Sequence, residues 1–199
     1  MTGQTRPYRM QRRAESQEQT RQRIVESAVA LHGTLGPSQT SISAVAAHAG
    51  VRRSTLYCYF RDEAALFDAC AGHWAAANPA PEPGGWLAIE SPDERLRVAL
   101  DELYAYYGRT EQMLDNLFRD EEMPLVQERF GAFRGYLEAA RDSLMGGRRL
   151  RGRARQRTQA AIGHAIAFST WKSLVREQQL GAAEAVNLAR AVVAAAANA

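Results

Sequence analysis

Residues 40–60 read TSISAVAAHAGVRRSTLYCYF, and what they form decides what the rest of the chain has to do. Thr40 or Ser41 offers an N-cap for a short helix whose inner face is Ile42, Val45, Ala46 and Ala49. Gly50 ends that helix after about two turns. A second short helix follows over about 52–60, with Leu56 and Phe60 turned inward. Ala46 is small where the second helix crosses it, and Gly50, four residues on, allows a sharp turn that a Cβ would hinder. Val51 and Leu56 close the wedge. Two short helices on a glycine turn are a helix-turn-helix, and so small a unit needs a further helix to cover it.

The covering helix is expected from about Ser16 to His32, where Ile24, Val25, Ala28 and Leu31 recur at helical spacing before HGTLGPSQT stops the run. On the other side, RDEAALFDACAGHWAAA opens with acids suited to a helix N-terminus and continues as a fourth helix. The proline- and glycine-rich stretch NPAPEPGGWLAIESP is the main linker. Beyond it, helical patterns are expected over 93–107, 110–121, 124–145, 153–178 and 182–197. Alternating β-branched runs are absent. The expected fold is therefore all-α, with an N-terminal helix-turn-helix three-helix unit followed by a larger helical bundle, about nine helices in all.

At 199 residues and 46% hydrophobic the chain has enough apolar surface for a sizeable core. No basic segment leads into a long apolar run and no 18-residue apolar stretch occurs, so neither a secretory leader nor a membrane span is expected, and the expected compartment is the cytoplasm. Charge is unevenly spread. Residues 1–61 carry nine arginines and three acids, 62–147 seven arginines and seventeen acids, and 148–157 six arginines with no acid. A basic head on an acidic body suits contact with nucleic acid at one end, because phosphate neutralisation supplies most sequence-independent affinity. Within the second basic cluster, RRLRGRARQR, the alternatives are a solvated face and an auxiliary contact to DNA or an acidic partner. Cys58 and Cys70 sit in helical patterns without disulfide or CxxC spacing and are expected to be small packed residues.

Catalysis has no support in the residue inventory. His32, His48, His73 and His164 show no paired metal spacing, and neither GxSxG nor a glycine-rich phosphate loop occurs. DEEM, at 120–123, falls at an expected helix end where acids are ordinary. No enzyme activity, metal or cofactor is expected.

The stretch TSISAVAAHAGVRRSTLYCYFRDEAALF, residues 40–67, resembles the DNA-binding signature of the TetR family of transcriptional regulators, as do its place near the N-terminus and the helical remainder. The resemblance covers roughly residues 20–70. It implies that Thr40 and Ser41 open the second helix and touch a phosphate, and that Arg52, Arg53, Ser54 and Thr55 form the exposed start of the recognition helix. It also implies that Tyr57 and Tyr59 meet the DNA backbone, with Phe60 packed behind them. The physics of the arginines agrees, since two cations at a helix N-terminus oppose its dipole by about 0.3–1 kcal/mol each. In the major groove an arginine forks onto guanine. Two positions differ from the family pattern. Arg52 stands where a serine or threonine cap is usual, leaving Ser54 or Thr55 to cap. Glu63 stands where a lysine usually opens the fourth helix, with Arg61 the substitute cation.

The same resemblance implies a helical effector-binding and dimerisation domain over 63–199, behind a helix-turn-helix DNA-binding domain over 17–62; the basic tail over 1–16 is expected to be disordered. Tyr104, Tyr107, Met113, Phe133, His164, Phe168 and Trp171 are the candidates for an effector pocket, since tyrosine, tryptophan and histidine carry polar groups that need partners in a sealed core. Such a pocket suits an apolar or aromatic small molecule. Ala160, Gly163 and Ala167, with Val186, Ala189, Val192 and Val193, lie on faces suited to close helix approach, and the resemblance implies a homodimer paired through these two helices. The expected function is sequence-specific binding to a double-stranded operator by a homodimeric repressor that a small molecule releases. An activator or unliganded regulator on the same scaffold, and an all-α interaction protein that does not bind DNA, are the alternatives.

Overall fold

The computed structural model describes residues 5–198. Nine α-helices and no strand occur among the described residues, as the all-α reading expects. They are α1 (Thr5–Thr34), α2 (Ile42–His48), α3 (Arg53–Tyr59), α4 (Glu63–Ala77), α5 (Pro92–Arg119), α6 (Pro124–Met145), α7 (Gly152–Ala165), α8 (Phe168–Lys172) and α9 (Ala182–Asn198). No helix among the described residues is long and apolar enough to cross a membrane. The chain forms two compact units. One runs to Pro79 and takes in Gln112–Gln127; the other comprises Ala80–Glu111 and Glu128–Ala199.

In the N-terminal unit, α1 corrects the expectation of a disordered tail over 1–16: residues 5–16 are helical, and residues 1–4 lie outside the described residues. Pro7 falls in the first turn, where its missing N–H has no intrahelical partner to lose, and no glycine or proline follows until Gly33. A helix already held by packing at Ile24 and Val25 then extends outward at the cost of one residue's freedom per hydrogen bond. Residues 10–19 are exposed on every face of that extension.

The core of this unit is one cluster. Ile24, Val25 and Ala28 of α1 meet Ile42, Val45 and Ala46 of α2, Leu56 of α3, and Leu66 and Cys70 of α4. Gly50 makes the turn between α2 and α3 at φ +67°. The Gly50 amide donates to the Ala47 carbonyl at 3.1 Å and the Val51 amide to the Ala46 carbonyl at 2.9 Å, closing the α2 C-terminus as a Schellman motif. A Cβ built on Gly50 would meet no atom within 4 Å, so what selects glycine is the left-handed backbone and not lack of room.

A polar clamp from the end of α5 holds the loop between α1 and α2. The Asn116 amide donates to the carbonyls of His32 (3.0 Å) and Gly33 (2.8 Å). The Arg119 guanidinium donates to the Leu35 carbonyl at 2.8 Å and to the Asn116 side-chain oxygen at 3.0 Å. The Asp120 carboxylate accepts from the Ser38 amide at 3.0 Å and from Arg119 Nε at 3.0 Å. These bonds and the packing of α4 along α1 carry the compact unit beyond 17–62 to Pro79 and Gln112–Gln127. Gly36, at φ +92°, leaves room for the clamp, because its Cβ would lie 1.9 Å from Arg119 Nη2. Beneath the loop His32 is buried, its Nδ1 3.4 Å from the Cys70 thiol and its ring 5.3 Å from that of Phe67. Burial lowers its pKa to about 4, although Asp120 pulls the other way. Burial likewise pushes the Cys70 thiol up to about 12.

In the C-terminal unit two expected boundaries differ. The patterns 93–107 and 110–121 are one helix, α5, that runs through Gly108. Thr110 Oγ1 bonds back to the Tyr106 carbonyl at 2.6 Å, and the Trp171 ring packs over Gly108, so packing overrides the glycine's weak helix propensity. Conversely, the single helix expected over 153–178 breaks at Ala167, which is extended (φ −72°, ψ 141°). Neither glycine nor proline marks the break. The carbonyls it frees are taken up by side chains: Tyr104 donates to Ala165 O at 3.0 Å, Tyr107 to Ile166 O at 2.6 Å and Thr170 to His164 O at 2.6 Å. A π-helical turn, Ser173–Glu177, continues α8. Arg95, buried without a carboxylate, donates to the carbonyls of Ile89, Ser143 and Gly146, which fastens the linker to the end of α6.

Gly50→Ala is expected to cost about 1–2 kcal/mol, the price of a left-handed alanine; Gly36→Ala, which adds displacement of Arg119 to the same strain, is expected to cost more, and urea midpoints compare the two. His32 adds a pH dependence. Its folded pKa of about 4 lies below the ordinary 6.5, so between these values the unfolded chain binds more protons and stability falls as pH falls. Denaturation at pH 7 and pH 4.5 checks this, with His32→Gln expected to show the smaller loss.

Candidate functional site

The exposed face of α3 follows from its period. Leu56 and Phe60 are buried, Thr55 and Tyr59 are half-buried, and Arg52, Arg53, Ser54, Tyr57, Cys58 and Arg61 are exposed. Arg53 Nη2 donates to the Tyr57 hydroxyl at 3.3 Å, and its guanidinium lies 5.7 Å from that ring's centroid. The pair presents a forked cation and an aromatic edge side by side. The Tyr57 hydroxyl also holds the Arg53 pKa above its usual value. Tyr59, expected with Tyr57 to meet the DNA backbone, is half-buried and packs on the hydrophobic cluster. Cys58 corrects the expectation of two packed cysteines: Cys70 is buried, but Cys58 is exposed one turn after Ser54, to whose carbonyl its thiol donates at 3.3 Å. Counting 3.6 residues per turn from Leu56 and Phe60 places residue 58 outward, a signal already present in the sequence.

The starts of the three helices differ. Ser41 Oγ caps α2, accepting from the Ala44 amide at 3.1 Å, and Asp62 caps α4, accepting from the Ala65 amide at 2.7 Å. Arg52 occupies the cap position of α3 in extended backbone without a side-chain cap bond, and neither Ser54 nor Thr55 takes its place. The first amides of α3 therefore lack a side-chain cap, beside the exposed Arg52 and Arg53. Thr40 Oγ1 donates to the Gly36 carbonyl at 2.7 Å and so braces the clamped loop. Arg61 is exposed and pairs with the capping Asp62 at 3.0 Å, with Glu63, also exposed, next in the chain.

Of the seven effector candidates the structure gathers four. Tyr104, Tyr107, Phe168 and Trp171 form one buried aromatic cluster, with Phe168 edge-on to Tyr107 at 5.5 Å and stacked on Trp171 at 5.4 Å. Burial raises both tyrosine pKa values, so their phenols stay neutral donors to the carbonyls at the α7–α8 break. Tyr106, absent from the candidates, is buried beside Tyr107 at 5.8 Å. Phe133 is half-buried and stacks on Tyr136 at 6.1 Å. Met113 belongs to the N-terminal unit, next to Gly33. His164 is exposed, its Nδ1 3.4 Å from Thr170 Oγ1. It lies outside the cluster, on the face of α7 away from the buried Ile162 and Ala165.

The apolar faces of the last helices divide. α9 packs on α7, and Val186, Ala189 and Val193 are buried within the chain, which corrects their expected place on an interface with a second copy. Val192 remains 47% exposed and Leu188, not among the expected residues, 43%, both on the outer side of α9. Ala160 is exposed, and Gly163 and Ala167 are half-buried.

Residues 24–70 match the family model described as bacterial regulatory proteins, tetR family. No curated protein sequence is matched. Among solved structures, a TetR-like transcriptional regulator from Rhodococcus sp. RHA1 is 20% identical over 87% of this chain and 93% of its own, with a TM-score of 0.60. NalD, the secondary repressor of the MexAB-OprM multidrug efflux pump in Pseudomonas aeruginosa, is 22% identical over 91% and 95%, with a TM-score of 0.61. The transcriptional regulator FadR from Bacillus subtilis, solved with stearoyl-CoA, is 19% identical over 88% and 97%, with a TM-score of 0.56. With the match falling on α1–α4, residues 24–70 are similar to the helix-turn-helix segment of tetR-family regulatory proteins, and the chain shares its fold with solved TetR-like regulators.

Proposed function

We propose that the protein is a homodimeric repressor that a small apolar or aromatic molecule releases from a palindromic operator. The observation that carries the DNA-binding half is the outer face of α3, where Arg53 and Tyr57 stand together next to amides that no side chain caps. In this reading Arg53 and Arg52 reach base edges, with Ser54, Thr55 and Cys58 beside them. Tyr57, Thr40, Ser41 and Arg61 touch the DNA backbone, and Tyr59 supports the helix from within. Its half-burial against the core favours that role.

The effector half rests on the aromatic residues of the C-terminal unit. Tyr104, Tyr107, Phe168 and Trp171 supply apolar surface with a few oriented hydroxyls, the composition of a site for a hydrophobic or planar molecule. The stearoyl-CoA in the FadR structure has such an apolar part. One helix, α5, carries Tyr104 and Tyr107 upstream of Gly108 and the clamp residues Asn116 and Arg119 at its end. An effector that wedges apart the aromatic cluster biases α5, and through the clamp biases the loop that sets α2. In the dimer, Val192 and Leu188 of α9, with Ala160, Gly163 and Ala167, meet the same residues of a second copy about a two-fold axis.

Gel shifts against the DNA flanking its own coding region test the reading, and absence of sequence-specific binding at physiological salt contradicts it. Arg53→Ala is expected to lose about 1–3 kcal/mol of discrimination at one base position. Sedimentation is expected to show a dimer that the Leu188→Glu, Val192→Glu double variant converts to a monomer; a wild-type monomer contradicts the interface.

A further inference from the structure

Six arginines lie within residues 148–157, with no acid between them. The structure separates them into two kinds. Arg148 is half-buried and engaged, donating to Asp93 at 3.0 Å, to the Pro92 carbonyl at 2.9 Å and to the Leu144 carbonyl at 3.2 Å. The other five are exposed, Arg149 and Arg151 in the extended segment before α7 and Arg153, Arg155 and Arg157 in its first turns. No described carboxylate pairs with any of these five, and Arg157 reaches only the Ala196 carbonyl at 3.4 Å.

Elsewhere in the same unit three arginines find acids. Arg97 pairs with Glu94 and Asp101, Arg141 with Asp142 and Arg176 with Glu111. Arg153 and Arg157, four residues apart on one face of α7, repel one another, and Arg153 and Arg155 in its first turn also oppose its dipole. A polyanion removes both costs. The exposed side chains of this segment are arginine and glutamine; Leu150 and Ala154 are turned partly away. A protein partner needs an apolar anchor at the centre of its interface, which this surface lacks. Guanidinium forks match phosphate oxygens two at a time.

We propose that Arg149, Arg151, Arg153, Arg155 and Arg157 form a second DNA-binding surface that holds phosphates of a duplex without reading its sequence. DNA is selected as partner on the reading of the chain as a DNA-binding regulator, but the contact does not need α3. Its contribution is electrostatic and strongly salt-dependent.

The test uses the full chain carrying Arg52→Ala and Arg53→Ala, with and without glutamine at the five positions, and a random-sequence duplex of about 40 bp titrated between about 50 and 200 mM salt. Each phosphate neutralised contributes about 0.9 to the slope of log K against log salt, so the five glutamines are expected to flatten it by about 4.5. The melting temperature is expected to hold or rise, since these side chains fill no core. An unchanged slope overturns the proposal. So does polyglutamate binding that exceeds duplex binding and disappears with the same substitutions, which identifies an acidic protein as the partner. Loss of duplex binding in Arg52→Ala, Arg53→Ala alone, with nothing further lost on removing the five arginines, overturns the second surface while leaving the reading of α3 intact.

Discussion

Asn116, Arg119 and Asp120 close the loop that follows α1, and the orientation of the helix-turn-helix depends on that closure. The carbonyls of His32, Gly33 and Leu35 lie at the end of a helix, where no further turn supplies donors, and the loop then doubles back at Gly36. Hydrogen bonds to charged groups contribute about 1.5–3 kcal/mol each, and the buried Asn116 and Asp120 leave the loop little freedom. Burial disfavours the Asp120 carboxylate, but the Arg119 guanidinium and the Ser38 amide outweigh it and hold its pKa below the usual range. With the loop fixed, Ser41 is set to cap α2, the Gly50 turn sets α3 against α2, and the outer face of α3 is defined. A helix-turn-helix braced only by α1 would have lacked that support.

Sequence pattern revealed the N-terminal unit well because its elements are short, sharply bounded and local. Ser41, Gly50 and Asp62 act within four residues of where they stand, and Leu56 and Phe60 point inward by counting. The same count, continued to Cys58, places that thiol outward; the general tendency of cysteine to be buried obscured it. Long-range features were not legible. The clamp joins residues 82–84 positions apart, and nothing local distinguishes Asn116 or Asp120 from surface residues. The break at Ala167 depends on two tyrosine hydroxyls about 60 residues upstream. Gly108 looked like a helix boundary, yet Thr110 and Trp171 keep α5 continuous. Val186, Ala189 and Val193 form an apolar stripe whether the helix they meet is α7 or a second copy, so periodicity could not choose between them.

The candidate site shows how departures from the family pattern are accommodated. An arginine at the cap position of α3 leaves its first amides without a side-chain cap, and in the proposed function DNA supplies the anion beside them. Glu63 opens α4 directly after the capping Asp62, with which the exposed Arg61 pairs.

Selection from a pool of random duplexes by the 199-residue chain addresses the reading of α3 most directly. Enrichment of a palindrome whose half-sites lie about one helical turn apart or a multiple of it, with the preference at one base pair of each half-site lost in Arg53→Ala, is the predicted result. Enrichment of no sequence, or of the same sequence by wild type and Arg53→Ala alike, would contradict it.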